Sequence, residues 1–239
     1  MIYLIILFLS NVVGSIGGFG AGMISIPFLT QLFEPKMIIM ASTLTCILNL
    51  WIAIRCWGEI EFRKLWEIIG HMCLGLPVGI YAMKMMDVVV LKHALGIFMI
   101  FMSVYGFLKL KLPCMQKLFF SKTMLATLLF LGGVVQGAIS SGGSFVVMYA
   151  QQELGGKRQF RGTLALLWTA VSVIAAIQYA VLGTLRWEAV RMAAIGAPAV
   201  LAGIIVGGRL CGKLSQRVFL YVIYVLLFVG GVFNLSPAV

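Results

Sequence analysis

Residues 14–22 read GSIGGFGAG and interrupt an apolar run that extends from Met1 to Leu32. Five of these nine residues are glycine, and each glycine inside a helix costs about 1 kcal/mol relative to alanine. In hydrocarbon, backbone amides and carbonyls must be satisfied within the protein, so an irregular stretch cannot face lipid. The stretch therefore predicts a helix break that is buried in protein or lines a wet cavity.

The composition requires lipid as the solvent. The chain has 239 residues, of which 62% are hydrophobic and 10% are charged, with a mean hydropathy of +1.09. Soluble domains are about 45–50% apolar and about 25% charged. We therefore expect an all-α polytopic membrane protein. The first basic residue is Lys36, so we expect no cleaved signal peptide, and no stretch is polar enough for an added soluble domain.

The net charge of +11 lies in short loops between apolar segments. That placement is typical of topology determinants and anionic-lipid contacts, and it argues against nucleic acid as a partner. The five cysteines show no CxxC spacing, so we expect free thiols, no metal and no cofactor.

The chain repeats itself after about 120 residues. Apolar segments lie at 1–33, 37–57, 65–86, 88–108, 123–152, 162–182, 188–208 and 217–235. Gly75-Leu76-Pro77 matches Gly196-Ala197-Pro198, Gly20-Ala21-Gly22 matches Ser141-Gly142-Gly143, and Ala41-Ser42-Thr43 matches Arg161-Gly162-Thr163. Matches in this order predict two homologous four-segment halves, residues 1–118 and 119–239.

Segments 1 and 5 hold about 30 residues each, whereas one crossing needs about 20 and two need about 40. A re-entrant helical hairpin fits this length, and so does a single broken, tilted helix. If all eight segments cross, lysine and arginine divide nine to nine between the two faces. If segments 1 and 5 are re-entrant, the division is 13 to 5, which agrees with the positive-inside rule. Three crossings per half then predict an inverted repeat.

The two breaks have two interpretations. Small residues allow helices to pack closely, so the glycines could serve packing alone. Each break also starts a new helix, whose N-terminal amides and dipole favour an anion. We favour an anion cradle, since the breaks recur in both halves and the second carries serine hydroxyls. The soluble phosphate-binding patterns GxGxxG and GK[ST] are absent.

The order of these motifs resembles the sulfite exporter TauE/SafE family over essentially the whole chain. The resemblance rests on the glycine-rich break before Pro27-Phe28-Leu29, the step Ala41-Ser42-Thr43, the turn Gly58–Phe62 and the Gly-x-Pro stretches at 75 and 196. It implies transport of sulfur-containing anions, such as sulfite or organosulfonates, across a prokaryotic cytoplasmic membrane. Serines in Ile139–Gly143 replace glycines common in the family, which leaves the substrate open.

Candidate substrate-binding residues share either a place at a break or a polar side chain inside an apolar segment, where polarity is costly. They are Ser15, Gly18, Gly20, Ala21, Gly22, Thr43, Asn49, Gln136, Ser140, Ser141, Gly142, Gly143, Ser144, Thr163 and Thr169. The alternative for the polar members is hydrogen bonding between helices. His71 is a candidate for proton coupling or an interfacial residue. Arg161, which follows the second break, either attracts anions or sets topology.

These features favour a secondary transporter that works by alternating access, with the anion held near the midplane by the two breaks. Its expected partners are a small anion, the lipid bilayer and a proton or other coupling ion, and an oligomer is compatible with the sequence. An anion channel is the main alternative. An integral-membrane enzyme is disfavoured, since the seven carboxylates are not placed deep in any segment, and an assembly subunit is a further alternative.

Overall fold

The computed structural model describes residues 1–29, 32–85, 88–111, 120–139, 142–181, 183 and 185–235. All regular structure in these ranges is helical, which confirms the all-α class. The α-helices are α1 (Ile2–Gly17), α2 (Ala21–Leu29), α3 (Pro35–Cys46), α4 (Leu50–Arg55), α5 (Phe62–Met85), α6 (Val88–Lys111), α7 (Lys122–Ile139), α8 (Gly143–Glu153), α9 (Lys157–Val181), α10 (Trp187–Lys213) and α11 (Gln216–Leu235). Two 3₁₀ turns, Ile47–Asn49 and Trp57–Glu59, flank α4.

Several helices suit a bilayer. Within the described residues, three are long and apolar enough to cross a membrane: Met37–Arg55, Lys157–Val181 and Trp187–Lys213. Four shorter apolar helices are Ile2–Gly17, Gly96–Leu108, Lys122–Gln136 and Arg217–Phe233. The 16 residues of α1 reach about 24 Å, which is less than the hydrocarbon thickness of about 30 Å. These lengths and compositions agree with a polytopic membrane protein.

The chain forms two compact units. The first unit contains Met1–Ile60 and Lys157–Phe219, and the second contains Glu61–Gly156 and Leu220–Val239. Each unit thus combines helices from both predicted halves. The division at residues 118 and 119 stays a prediction about the repeat, because compactness follows packing and not sequence order.

In the first unit, α1 packs against α10 through small residues of α10. A Cβ atom at Gly203 would lie 2.7 Å from the carbonyl oxygen of Phe8 and 2.9 Å from the Cβ of Asn11. A Cβ at Gly196 would lie 2.6 Å from the Leu7 side chain. Only glycine permits this approach of the two backbones.

In the second unit, α5 packs against α7 in the same way. A side chain at Gly75 would meet the backbone of α7 at Phe130 and Val134. Since Gly75 and Gly196 are equivalent in the predicted repeat, each half uses the same glycine position of its third segment against the first helix of a broken segment. The duplication itself stays a prediction.

Candidate functional site

The first break is a tight turn built by glycine. Gly18 caps α1 with φ 74°, its amide donates to the Gly14 carbonyl, and Gly20 has φ 88° before α2 begins. Residues with a Cβ rarely adopt these angles. A Cβ at Gly14 would lie 2.6 Å from the amide nitrogen of Ala21. The start of α2 therefore lies beside the last turn of α1.

Both broken segments return to the end at which they start. The Tyr3 and Phe33 rings, before and after the first break, meet edge-to-face at 5.9 Å between centroids. Around the second break, the Gln152 amide donates to the Phe120 carbonyl (2.9 Å) and accepts from the Phe120 amide (2.8 Å). We call α1 with α2 hairpin 1 and α7 with α8 hairpin 2. Their re-entry into the bilayer stays a prediction.

Arg161 lies at the tip of hairpin 1. Its side chain is buried, with 7% of the residue exposed, and its Nε–H donates to the Ser15 carbonyl at 2.8 Å. A Cβ at Gly18 would lie 2.9 Å from the Cα of Arg161. Among the described residues, no carboxylate forms an ion pair with this guanidinium. The tip of hairpin 1 therefore holds a buried cation. Arg161 follows the second break in the sequence, but its contacts are with the first break.

At the tip of hairpin 2, one hydrogen-bond donor, the Gly142 amide, has a partner, and another, the Ser144 hydroxyl, has none among the described residues. The Gly142 amide donates to the side-chain oxygen of Gln136 at 3.0 Å, so Gln136 caps the start of α8. Gly143 and Ser144 are buried, and the Ser144 hydroxyl has no hydrogen-bond partner within the described part of the chain. Ser140 and Ser141 lie outside the described residues. Since a side chain at Gly142 would collide with the Gly132 carbonyl, this glycine is also needed for packing.

The other polar candidates bond within their own segments. Three hydroxyls donate to backbone carbonyls one turn earlier: Thr43 to Ile39 (2.9 Å), Thr169 to Ala165 (2.8 Å) and Ser15 to Val12 (3.2 Å). The side-chain amide of Asn49 donates to the Cys46 sulfur at 3.1 Å. None of these hydrogen bonds reaches the turn from Gly18 to Gly22. Thr163 is fully buried two residues after Arg161. A role for these side chains in binding stays a prediction.

His71 lies on α5, away from either tip along the chain. Its Nδ1 lies 2.8 Å from the carbonyl oxygen of Glu67. A carbonyl oxygen only accepts, so this contact is a hydrogen bond in the tautomer that carries a proton on Nδ1. Proton coupling by His71 stays a prediction.

The family comparison covers this whole arrangement. The model of the family described as sulfite exporter TauE/SafE matches residues 3–234. No curated protein and no solved structure matches the chain. Both hairpins, the buried guanidinium and the unpartnered hydroxyl all lie within the matched range.

Proposed function

The chain belongs to the sulfite exporter TauE/SafE family, and on that premise we propose a mechanism for it. The family carries out membrane transport of sulfur anions such as sulfite, which is a transporter's activity and not an enzyme's. We propose that this chain is a secondary transporter of sulfite or organosulfonates in a prokaryotic cytoplasmic membrane. It works by alternating access, with the two hairpin tips holding one anion near the midplane.

Arg161 is the observation that carries the proposal. A buried ion without a counter-ion is strongly destabilising, by several kcal/mol in effect. The Ser15 carbonyl occupies one of the five N–H donors of the guanidinium. The remaining donors suit two oxygens of a sulfite or sulfonate group, since a guanidinium binds oxyanions in a bidentate manner.

The start of α2 adds neutral donors at the same tip. The Ile24 amide is the first to bond within this helix, to the Gly20 carbonyl. The amides from Ala21 to Met23 therefore have no acceptor in their own helix, as at every helix N-terminus. Together with the helix dipole they favour negative charge.

Ser144 supplies the corresponding donor on hairpin 2. An unsatisfied buried polar group costs about 1–3 kcal/mol, and the Ser144 hydroxyl is such a group. An oxygen of the anion would accept this hydrogen bond.

The proposal is tested by sulfite flux into proteoliposomes, with sulfate, thiosulfate and small carboxylates as comparison anions. Ser144→Ala should weaken sulfite binding about 3- to 10-fold without lowering the thermal stability of the anion-free protein, because this hydroxyl forms no hydrogen bond within the described part of the chain. Ser103→Ala is the matched control in the same unit. Ser103 is equally buried but donates to the Tyr224 carbonyl at 2.8 Å, so its loss should lower stability and spare sulfite binding.

Two results would contradict the proposal. Wild-type protein that moves none of these anions would exclude the transport function. Equal sulfite affinity in Ser144→Ala and wild type would remove the tip of hairpin 2 from the site. Flux that rises without saturation would instead favour the channel alternative.

A further inference from the structure

The base of hairpin 2 is held by three charged residues. Lys64, in the first turn of α5, forms an ion pair with Glu153, the last residue of α8. Its ammonium also lies 3.7 Å from the Glu67 carboxylate and 5.8 Å from the centroid of the Tyr149 ring. Hydrogen bonding to Glu153 raises the pKa of Lys64. These contacts attach the returning arm of hairpin 2 to the start of α5.

The base of hairpin 1 carries a second set of three charges. Arg186, which precedes α10, lies 2.5 Å from the Glu34 carboxylate and 3.0 Å from that of Glu188. Glu34 directly precedes α3, where the chain leaves the returning arm of hairpin 1. Hydrogen bonding to Glu34 raises the pKa of Arg186. These contacts attach the start of α3, the helix that follows hairpin 1, to the start of α10.

The two sets occupy equivalent positions of the repeat. Arg186 follows Lys64 by 122 residues, and Glu188 follows Glu67 by 121 residues. Glu153 follows Glu34 by 119 residues. In both units, therefore, the cation and one carboxylate start the third segment of a half, and the other carboxylate lies at the base of a hairpin.

A fifth ion pair shows that this correspondence is not general. Arg158 lies 2.8 Å from Glu59. Lys36 stands 122 residues before Arg158, but no carboxylate stands 119 to 122 residues after Glu59, so the pair has no counterpart. The recurrence is thus confined to the charges at the hairpin bases. The Lys-Arg tally places the loops of Lys64 and Glu153 on one membrane face and those of Glu34 and Arg186 on the other.

We propose that the two sets are the latches of two gates, one for each membrane face. The inference rests on the proposed alternating-access transport and assigns its positioning residues. A formed latch holds the base of its hairpin against α5 or α10 and closes the path from that face. Opening one latch frees that base while the other stays formed. Since each cation has two carboxylates, it keeps one partner while the hairpin base is released, and the latch forms again easily.

The test measures the half-saturating sulfite concentration from each face, in right-side-out and everted vesicles. Lys64→Gln should lower this concentration on the face of its own latch and raise it on the other, since apparent affinity follows the population of the open state. Arg186→Gln should do the opposite. Because solvent screens exposed ion pairs, each variant should shift the half-saturating concentration by only about two- to fivefold. The less exposed Lys64–Glu153 pair should give the larger shift.

Two variants make the test specific. The exchanged pair Lys64→Glu with Glu153→Lys restores the attraction and should return both concentrations toward wild type. Arg158→Gln removes the ion pair that has no counterpart and should change neither concentration. Shifts of the same sign in Lys64→Gln and Arg186→Gln, or no shift in either, would overturn the latch assignment.

A second readout separates the latches from the transport function. Cysteines introduced at Leu154 and Phe33 report the release of each hairpin base to an impermeant maleimide, above the background of the native thiols. Lys64→Gln should increase labelling at 154, and Arg186→Gln should increase labelling at 33, about two- to fivefold in each case. If wild-type protein moved no sulfite, the proposed function would fail while this labelling still decided the latches. Unchanged labelling at both positions would overturn them.

Discussion

Replacing Arg161 by glutamine tests the buried cation directly. The change removes the positive charge from the tip of hairpin 1 and keeps a polar, planar side chain. A hydrogen bond to a charged group contributes about 1.5–3 kcal/mol, which corresponds to about 10- to 150-fold in affinity. We therefore expect sulfite to bind Arg161→Gln about 10- to 150-fold more weakly than wild type.

The stability of the protein without anion should respond much less. Arg161→Gln loses the hydrogen bond from Nε to the Ser15 carbonyl, which destabilises the tip. It also removes an uncompensated buried charge, which stabilises the folded state. Because these effects oppose each other, the Tm without anion should change little, while the rise of Tm with added sulfite should disappear.

The assay is a thermal-shift titration with sulfite in detergent. Arg161→Lys keeps the charge but loses the planar fork, so its affinity should lie between those of wild type and Arg161→Gln. Arg158→Gln, one helical turn earlier and ion-paired with Glu59, should bind sulfite as wild type does. An Arg161→Gln protein that binds sulfite with wild-type affinity would refute the placement of the anion beside this guanidinium.

Two further predictions concern packing and topology. Gly203→Ala should lower the Tm measured in detergent, because its Cβ would lie 2.7 Å from a backbone oxygen of α1 and overpacking costs about 1–3 kcal/mol. Gly212→Ala, where nothing lies within 4 Å, should leave the Tm unchanged or raise it, since alanine favours the helix; equal losses in both variants would contradict contact with α1 as the cause. A label at Phe33 should be reached from the same membrane face as the N-terminus, and labelling from the opposite face would contradict re-entry of hairpin 1.

The sequence predicted those features that depend on local composition. The excess of apolar residues predicts a membrane protein. The glycines from Gly14 to Gly22 predict a helix break, because glycine is unfavourable in a helix interior. The structure places positive φ angles at Gly18 and Gly20, within that stretch. The length of segments 1 and 5 left two shapes open. The contacts of Tyr3 with Phe33 and of Gln152 with Phe120 are long-range and bring the two ends of each broken segment together, while re-entry into the bilayer stays a prediction.

The partners of each break could not be read from the order of the chain. Arg161 is a candidate in the sequence because of its charge, and its place after the second break suggests the wrong neighbour. In the structure it donates to Ser15, 146 residues earlier. A hydrophobic pattern shows which face of a helix is apolar, but it does not show which other helix packs against that face. The two compact units, each made of two separate stretches of the chain, could therefore not be predicted from the sequence.

The charges at the hairpin bases do leave a signal in the sequence. Lys64 with Glu67 and Arg186 with Glu188 each pair a cation with a carboxylate at the start of a third segment. A tally of lysine and arginine alone misses this recurrence, since it ignores the acidic residues. Comparison of both signs of charge at the repeat offset would identify it, whereas the ion pairs themselves require the fold.

The two hairpins share a backbone design and differ in side chains. The position equivalent to Arg161 is Ala41, and the position equivalent to Ser144 is Met23. Both the buried cation and the buried hydroxyl therefore belong to the second half of the repeat, although Arg161 contacts hairpin 1 and Ser144 lies on hairpin 2. In the proposed site at hairpin 1, one guanidinium would balance one negative charge, and the amides at the start of α2 would add hydrogen bonds without adding net charge. A transported ion must be bound well enough to enter and weakly enough to leave. A second buried cation would strengthen binding and slow release at both faces, so a single cation with neutral donors is the arrangement that suits transport of a singly charged anion.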